Sequence, residues 1–259
     1  SFNINLRQMA LFSEIASLSP LRPELLKDGL DVVIFRELIG DVYFGEHTLG
    51  EKDGERYAFD TGTYTESQIR SIAEYAFNVA RTRKKRLISV DKANVMAMSK
   101  LWRTVVGEVA KNHPDIEYSD MLVDNCAMQI VKNPAQFDVI LTSNLFGDIL
   151  SDELSVLSGS VGMMPSASFS SSGLALYEPA GGSAPDIANK NIANPIAQIL
   201  SAALMLAYSF ELLDEAAAIN NAVKQTIVAG YRTGDIFTNP HNEIKVGTQQ
   251  FTDQVISRL

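Results

Sequence analysis

The chain has 259 residues, of which 46% are hydrophobic and 20% charged, and its formal net charge at pH 7 is -9. This composition is typical of a globular protein with one or two domains, and the negative charge argues against nucleic acid as a main partner. The single cysteine, Cys126, excludes an internal disulfide and a cysteine-rich zinc site, and it fits a reducing compartment such as the cytoplasm. The longest apolar stretch, residues 195–210, is too short to span a bilayer.

The first predicted elements are two strands and a hairpin. Strands are predicted at residues 10–13 and 31–36, and the apolar run of the second suits a sheet buried on both faces. Residues 42–46 and 56–59 flank the dipeptide Asp53-Gly54, which is a strong turn signal. These two segments are therefore predicted to pair as a β-hairpin.

Helices and strands alternate in the segment that follows. The pattern T-E-S-Q at residues 65–68 is a capping box and predicts a helix that ends in the basic run 81–85. Further elements predicted from hydrophobic periodicity are strands at 86–90, 116–123 and 138–142 and a helix at 97–110. This alternation predicts an α/β fold with a largely parallel core.

The composition changes after residues 158–162, residues 166–173 are small and serine-rich, and a domain boundary is predicted near Gly159. Asn194 is predicted to cap a helix that starts at Pro195, the position that proline favours. Further helices are predicted at 214–230 and 248–259.

An acidic pair gives the first indication of chemistry. Asp148 and Asp152 lie four residues apart in a predicted helix capped by Asn144, so both carboxylates share one face and form half of a site for a hard divalent cation. Alone, such a pair is more often a solvated helix face. However, Lys92, Asp124 and this helix all follow predicted strands, and open α/β sheets bind ligands at the carboxyl ends of their strands.

Several common motifs are absent from the sequence. It contains no G-x-G-x-x-G, no G-x-x-x-x-G-K-[ST] and no H-E-x-x-H. The match of Ser89 and Lys92 to S-x-x-K is interpreted as chance, because Ser89 lies in a predicted strand. His47, His113 and His241 lack metal-ligand spacing and are predicted to be surface residues.

Six motifs spread over nearly the whole chain carry a resemblance. They are NLR at 5–7, RELIGDVYFG at 36–45, SVDKANV at 89–95, MLVDN at 121–125, FGDILSDE at 146–153 and the segment 177–195. With these motifs in this order, the chain resembles the isocitrate/isopropylmalate family of β-decarboxylating dehydrogenases, and within it the isopropylmalate branch. The resemblance implies a two-domain sandwich with a mixed, mostly parallel sheet that is not a classical Rossmann fold. Residues 1–158 would be the substrate, metal and dimerisation domain, and residues 159–259 the second half of the cofactor domain.

The resemblance also implies an activity, the NAD-dependent oxidative decarboxylation of (2R,3S)-3-isopropylmalate with Mg²⁺ or Mn²⁺. The products would be 4-methyl-2-oxopentanoate and CO2, and the pathway leucine biosynthesis. The alternatives are the same chemistry on isocitrate, D-malate or tartrate, and a non-catalytic fragment that serves as a dimerisation module.

Residue roles follow from the motifs. By resemblance, Lys92 is the base for the substrate hydroxyl and Tyr43 gives or relays a proton. Arg7 and Arg36 would clamp the substrate carboxylates, which suits planar guanidinium groups. The remaining implied contacts are Asp124, Asp148 and Asp152 to the metal and Asn94, Val95 and Asp124 to the substrate. Taken singly, Arg36 would be a strand-end ion pair and Lys92 a solvated lysine.

The segment after Tyr177 would bind the cofactor. The residues that resemblance assigns to it are Glu178, Gly182, Ser183, Ala184, Asp186, Ile187 and Asn194. Asp186 would accept hydrogen bonds from the adenine ribose, and its charge would repel a 2'-phosphate, so NAD is predicted over NADP. Without the resemblance, an ordinary glycine-rich loop would be the preferred interpretation.

The chain also departs from the family pattern. The family's first strand, its glycine loop and its specificity helix are not in this sequence. The predicted substrate therefore rests on the residues of the other motifs. Many relatives have proline where this chain has Gln8 and glycine where it has Asp41, and some have histidine where it has Gly181. We expect these departures to have small effects on the site. Family members are homodimers, which implies that Lys92 and Asp124 act across the subunit interface and that a hairpin at 42–60 joins an intersubunit sheet.

Overall fold

The structure is a computed structural model that describes residues 2–27 and 29–259. Its strands are β1 Phe2–Leu11, β2 Leu30–Glu37, β3 His47–Lys52, β4 Glu55–Asp60, β5 Arg86–Asp91, β6 Glu117–Leu122, β7 Val139–Thr142, β8 Pro165–Ser170, β9 Ala175–Pro179, β10 Tyr231–Arg232 and β11 Ile244–Lys245. Its helices are α1 Glu66–Arg81, α2 Ala97–Ala110, α3 Val123–Lys132, α4 Asn144–Leu157, α5 Ile196–Ser209, α6 Leu213–Val228 and α7 Thr248–Ile256. None of the helices in these described ranges is long and apolar enough to cross a membrane.

A seven-stranded mixed sheet organises the molecule, with the strand order β6-β5-β7-β2-β1-β8-β9. The strands β6, β5, β7 and β2 run parallel to one another. β1 is antiparallel to both of its neighbours, β2 and β8, and β9 is antiparallel to β8. The predicted α/β fold with a mixed sheet is therefore confirmed.

Two hydrophobic cores cover the two faces of this sheet. One face carries α1 and α2, whose largest fully buried side chains are Phe77 and Trp102. The other face carries α4 to α7 and buries Leu150, Leu200 and Phe251. Full burial of one such side chain contributes about 1.5–3 kcal/mol, so both faces add substantially to stability.

The predicted boundary near Gly159 falls inside this arrangement. β8 follows the boundary, yet it pairs with β1 from the start of the chain, so the sheet is continuous between residues 1–158 and 159–259. The serine-rich segment 166–173 forms most of β8 and the turn after it. Its small side chains allow α5 to pack closely, and Ser201 Oγ accepts a hydrogen bond from the Ser166 amide. The division into two domains stays a prediction.

Several predicted elements are present at the predicted positions. The capping box of α1 is formed, because the Thr65 hydroxyl accepts from the Gln68 amide and the Gln68 side chain accepts from the Thr65 amide. The predicted helix at 97–110 is α2. Asn194 Oδ1 accepts from the Ile196 amide and caps α5, which starts one residue later than predicted.

Other local predictions are wrong. The strand predicted at 10–13 is the end of the longer β1, whose buried positions follow no simple alternation because it is covered on both faces. The segment Val42–Phe44 is a single 3-10 turn, and the hairpin instead pairs β3 with β4 across Asp53-Gly54. His113 is buried, since it stacks on Phe77 and bonds Glu74 through Nε2.

Candidate active site

The amino end of α4 is the centre of the candidate site. α4 follows β7 directly, so Asp148 and Asp152 lie beyond the carboxyl edge of the parallel strands. Both carboxylates remain accessible, with side-chain exposures of 38% and 76%. One helical turn separates them, which places them on the same face, as predicted.

Asn144 does not cap α4, and that prediction is wrong. It occupies the first helical position, and its side chain spans the gap to β2. Asn144 Oδ1 accepts from Arg36 Nε at 2.9 Å, and its Nδ2 donates to the Gly40 carbonyl at 3.2 Å. Asn144 therefore orients Arg36 toward the acidic face of the helix.

The two predicted substrate arginines converge on these carboxylates. Arg36 extends from the carboxyl end of β2 and contacts Asp148 Oδ1. Arg7, on β1, lies 3.8 Å from Asp148 and 3.4 Å from Asp152, and donates to Ser151 Oγ at 2.7 Å. Burial and then the neighbouring Arg36 lower the pKa of Arg7 from its ordinary value, which still leaves a guanidinium charged near neutral pH.

Tyr43 completes this cluster. Its hydroxyl donates to Asp148 Oδ2 at 3.1 Å, and the Arg36 guanidinium lies 5.4 Å from the centre of its ring. Burial, followed by the hydrogen bond to Asp148, raises the pKa of Tyr43 above its usual value. The phenol therefore stays protonated at neutral pH and can donate a proton.

Lys92 and Asp124 form a separate pair. Lys92 follows β5, Asp124 lies in the first turn of α3, and their side chains are in contact. The hydrogen bond from Lys92 lowers the pKa of Asp124. Within residues 2–27 and 29–259, no group of three His, Cys, Asp or Glu side chains could hold a metal ion. One chain thus brings together two of the three predicted metal ligands.

Asn94 and Val95 lie on the exposed turn between β5 and α2. The amides of Val95 and Met96 both donate to the Lys92 carbonyl at 3.0 Å, which fixes this turn. Ser89 lies inside β5 and accepts a hydrogen bond from Trp102 Nε1 at 3.1 Å, so its match to a catalytic motif has a structural explanation.

A cleft of about 920 Å³ lies between the loop after α4, the segment after β9 and the start of α5. Five of the residues predicted to bind the cofactor line it, namely Gly182, Ser183, Ala184, Ile187 and Asn194. Glu178 is exposed on β9, and Asp186 is exposed in the single 3-10 turn Pro185–Ile187. Ala184 has a φ of 41°, so the chain bends sharply into this turn.

Sequence reasoning missed two residues that support the site. Asp235, in the cleft, accepts from Ser160 Oγ at 2.6 Å and from Asn194 Nδ2 at 3.0 Å. Buried Asn5 accepts from Arg7 Nε at 3.0 Å and donates to Ser166 and Ser168. Asn5 lies in the motif at 5–7, but its contacts with Ser166 and Ser168, like those of Asp235, join segments far apart in sequence, so no local pattern signals them.

Gly147 sets the distance between α4 and β2. A Cβ at this position would lie 2.7 Å from Arg36 Cβ and Cγ. Gly147→Ala should therefore shift Arg36, lower turnover and destabilise the fold by about 1–3 kcal/mol. Thermal unfolding and steady-state kinetics test this. The matched control is Gly107→Ala in α2, where a Cβ meets nothing within 4 Å and alanine should stabilise slightly. Wild-type kinetics in Gly147→Ala would contradict the expectation.

Comparison with solved structures supports the fold. The chain matches the crystal structure of isocitrate dehydrogenase from Methylococcus capsulatus with a TM-score of 0.86 and 34% identity, covering 99% of this chain and 73% of that one. It matches the TT0538 protein from Thermus thermophilus with a TM-score of 0.86 and 33% identity, covering 99% and 50% of the two chains.

Comparison with curated sequences gives higher identities. The chain is 53% identical over 255 residues to 3-isopropylmalate dehydrogenase from Helicobacter hepaticus, and 54% identical over 256 residues to the enzyme of that name from Nitratidesulfovibrio vulgaris. Each alignment covers 98% of this chain and 71% of the relative. The family model for isocitrate/isopropylmalate dehydrogenase matches residues 2–255. The chain therefore belongs to the isocitrate/isopropylmalate dehydrogenase family.

Proposed function

We propose that this chain catalyses the NAD-dependent oxidative decarboxylation of (2R,3S)-3-isopropylmalate to 4-methyl-2-oxopentanoate and CO2, a step of leucine biosynthesis in the cytoplasm. Family membership makes it a dehydrogenase that uses a nicotinamide cofactor and a divalent metal. The observation that carries the proposal is the convergence of Arg7, Arg36 and Tyr43 on the acidic face of α4. Two arginines beside two carboxylates suit a dicarboxylic acid that binds together with a cation.

The donor set at α4 fits Mg²⁺ or Mn²⁺, because Asp148 and Asp152 offer accessible hard oxygen ligands. Asp124 would be the third ligand. The metal, when bound, supplies Lewis acidity next to the carbon that is oxidised. Arg7 and Arg36 would bind the substrate carboxylates and so hold the molecule in one orientation.

Two proton transfers would fall to side chains of the protein. Lys92 Nζ would take the proton of the substrate hydroxyl. A bound nicotinamide would supply the hydride acceptor for the carbon that carries this hydroxyl. The bond between the neighbouring carbon and its carboxylate would then break, CO2 would leave, and the electron pair of this bond would stay on the substrate. The Tyr43 hydroxyl would return a proton to the carbon that carried this carboxylate.

A homodimer is part of the proposal. The hairpin β3–β4 exposes Leu49, Tyr57 and Phe59, and Leu49 is 89% exposed. The helices α3 and α4 also expose the large apolar side chains Met128, Val131, Ile149 and Val156. Apolar surface of this extent favours association with another chain. In such a dimer, Lys92 and Asp124 of one subunit would complete the site formed by Arg7, Arg36 and Asp148 of the other.

NAD is the proposed cofactor because Asp186 is an exposed carboxylate beside the cleft. Its negative charge would repel the 2'-phosphate of NADP, and like charges in contact cost several kcal/mol. Asp186→Asn should therefore raise the ratio of kcat/KM for NADP to that for NAD by about tenfold or more. Asp214→Asn, an exposed aspartate on α6, is the control. An unchanged ratio in Asp186→Asn would remove the argument for NAD.

The direct test measures NAD reduction with Mg²⁺ on 3-isopropylmalate, isocitrate, D-malate and tartrate side by side. The 259-residue chain and the complete reading frame of its gene are both assayed. Turnover mainly on 3-isopropylmalate is expected. Preference for another of these acids would leave the residue roles standing and replace the substrate. Absence of turnover on all four acids by the complete reading frame would favour the non-catalytic dimerisation module.

A further inference from the structure

Asp41 is a buried carboxylate that the proposed reaction does not use. It is 1% exposed, and its backbone has φ 71° and ψ -167°, a region taken almost solely by glycine. A side chain keeps this conformation only where its surroundings impose it. The contacts of the carboxylate show what these surroundings are.

Each oxygen of the carboxylate accepts from a different segment. Oδ1 accepts from the Val42 amide at 2.9 Å, immediately before Tyr43. Oδ2 accepts from the Leu145 amide at 3.1 Å, in the first turn of α4. The amides of a first helical turn have no partner within the helix, so an outside acceptor is required.

The residue that should cap α4 does not do so. Ser143 is at the N-cap position, its side chain makes no capping hydrogen bond, and its Oγ is a buried atom without a partner among the described residues. Asp41 supplies the missing acceptor, although it is about a hundred positions away. Its negative charge also lies at the positive end of the helix, where it is stabilised.

We infer that Asp41 is a positioning residue, which ties the loop of Tyr43 to the helix of Asp148 and thereby sets the hydrogen bond between these two side chains. This inference rests on the proposed function for its catalytic consequence. Because the loop and the helix are both held by one carboxylate, Tyr43 Oη is fixed 3.1 Å from Asp148 Oδ2. A misplacement of about 1 Å can cost a hundredfold in rate, so the tie matters for proton return.

The test compares the variants Asp41→Gly and Asp41→Asn with wild type, each made as the protein that the complete reading frame encodes. Glycine removes the carboxylate and relieves the backbone strain. We expect Asp41→Gly to keep a melting temperature close to that of wild type, to lower kcat about tenfold, and to raise the solvent deuterium isotope effect on kcat because proton return slows. Asp41→Asn keeps one acceptor oxygen, so its kcat and its solvent deuterium isotope effect should lie between those of wild type and of Asp41→Gly. Glu211→Gly, which replaces an exposed acid at φ 56°, should leave kcat unchanged.

Amide hydrogen exchange without substrate or cofactor gives a readout independent of activity. Asp41→Gly should exchange faster than wild type at residues 42–45 and at 144–148 together. Unchanged exchange in these two segments would overturn the tie even if the wild-type protein had no dehydrogenase activity. A wild-type kcat and isotope effect in Asp41→Gly, with the wild-type enzyme active, would overturn the positioning role and leave the proposed function intact.

Discussion

Replacing Asp148 by asparagine is expected to lower turnover by about a thousandfold or more, while the fold and the oligomeric state stay those of wild type. The reason is the number of groups that depend on one carboxylate. Asp148 Oδ1 contacts both arginines, and Oδ2 accepts from the Tyr43 hydroxyl. Asparagine keeps the shape of the side chain but removes the charge that a divalent cation requires. The positive charges of Arg7 and Arg36 would then lie close together with less neighbouring negative charge, and they would repel each other more strongly.

Steady-state kinetics over a range of Mg²⁺ concentrations measure this effect, and circular dichroism with analytical ultracentrifugation verifies fold and assembly. The control is Asp214→Asn, an exposed aspartate in the first turn of α6, which should behave as wild type. Near-normal turnover of Asp148→Asn at low Mg²⁺ would show that the metal assignment is wrong.

Mixing two inactive variants is expected to restore activity. Lys92→Met and Asp148→Asn should each be inactive alone, because in the proposed symmetric dimer each substitution damages both sites. In a hybrid dimer, one site receives both substitutions and the other receives neither. Random reassortment makes half of the dimers hybrids with one intact site each, so about a quarter of the wild-type activity should return.

The measurement is to unfold the two variants together, refold them and assay NAD reduction, with each variant refolded alone as the control. Recovery near a quarter supports a site shared between subunits. Absence of recovery, with hybrid dimers verified by tagged purification, would mean that Lys92 and Asp148 act within one chain.

Much of the fold could be predicted from the sequence because its signals are local. The capping box at Thr65, the turn at Asp53-Gly54 and the apolar run of β2 are each decided by a few neighbouring residues. Alternation of strands and helices then placed Asp148 at the carboxyl edge of the sheet, where the structure has it. The motifs that carried the family resemblance lie mostly in other segments, such as 89–95 and 146–153, and the family is confirmed.

What could not be predicted depends on contacts between distant segments. Asn144 was expected to cap a helix, but Arg36 and Gly40 bind its side chain instead. His113 was expected on the surface, but it is covered by Phe77 and Glu74 from α1. Asp41 was identified only as a departure from the family pattern, and the sequence did not indicate that its carboxylate accepts a hydrogen bond from the Leu145 amide of α4. In each case the residue that binds the side chain belongs to another helix, strand or loop. A local sequence pattern carries no information about such a partner.

The position of β1 in the sheet affects how the chain folds while the ribosome is making it. Its partner β8 comes late in the chain, and Asn5 and Ser166 are 161 positions apart. At roughly 5–20 residues per second, a ribosome needs about 8–30 s to make the intervening segment. During this time β1 and β2 can pair, but the backbone N–H and C=O groups on the other edge of β1 stay unpaired. This apolar strand edge can pair with other chains and so promote aggregation. The nascent chain should therefore depend on chaperones until β8 has emerged and closed the sheet.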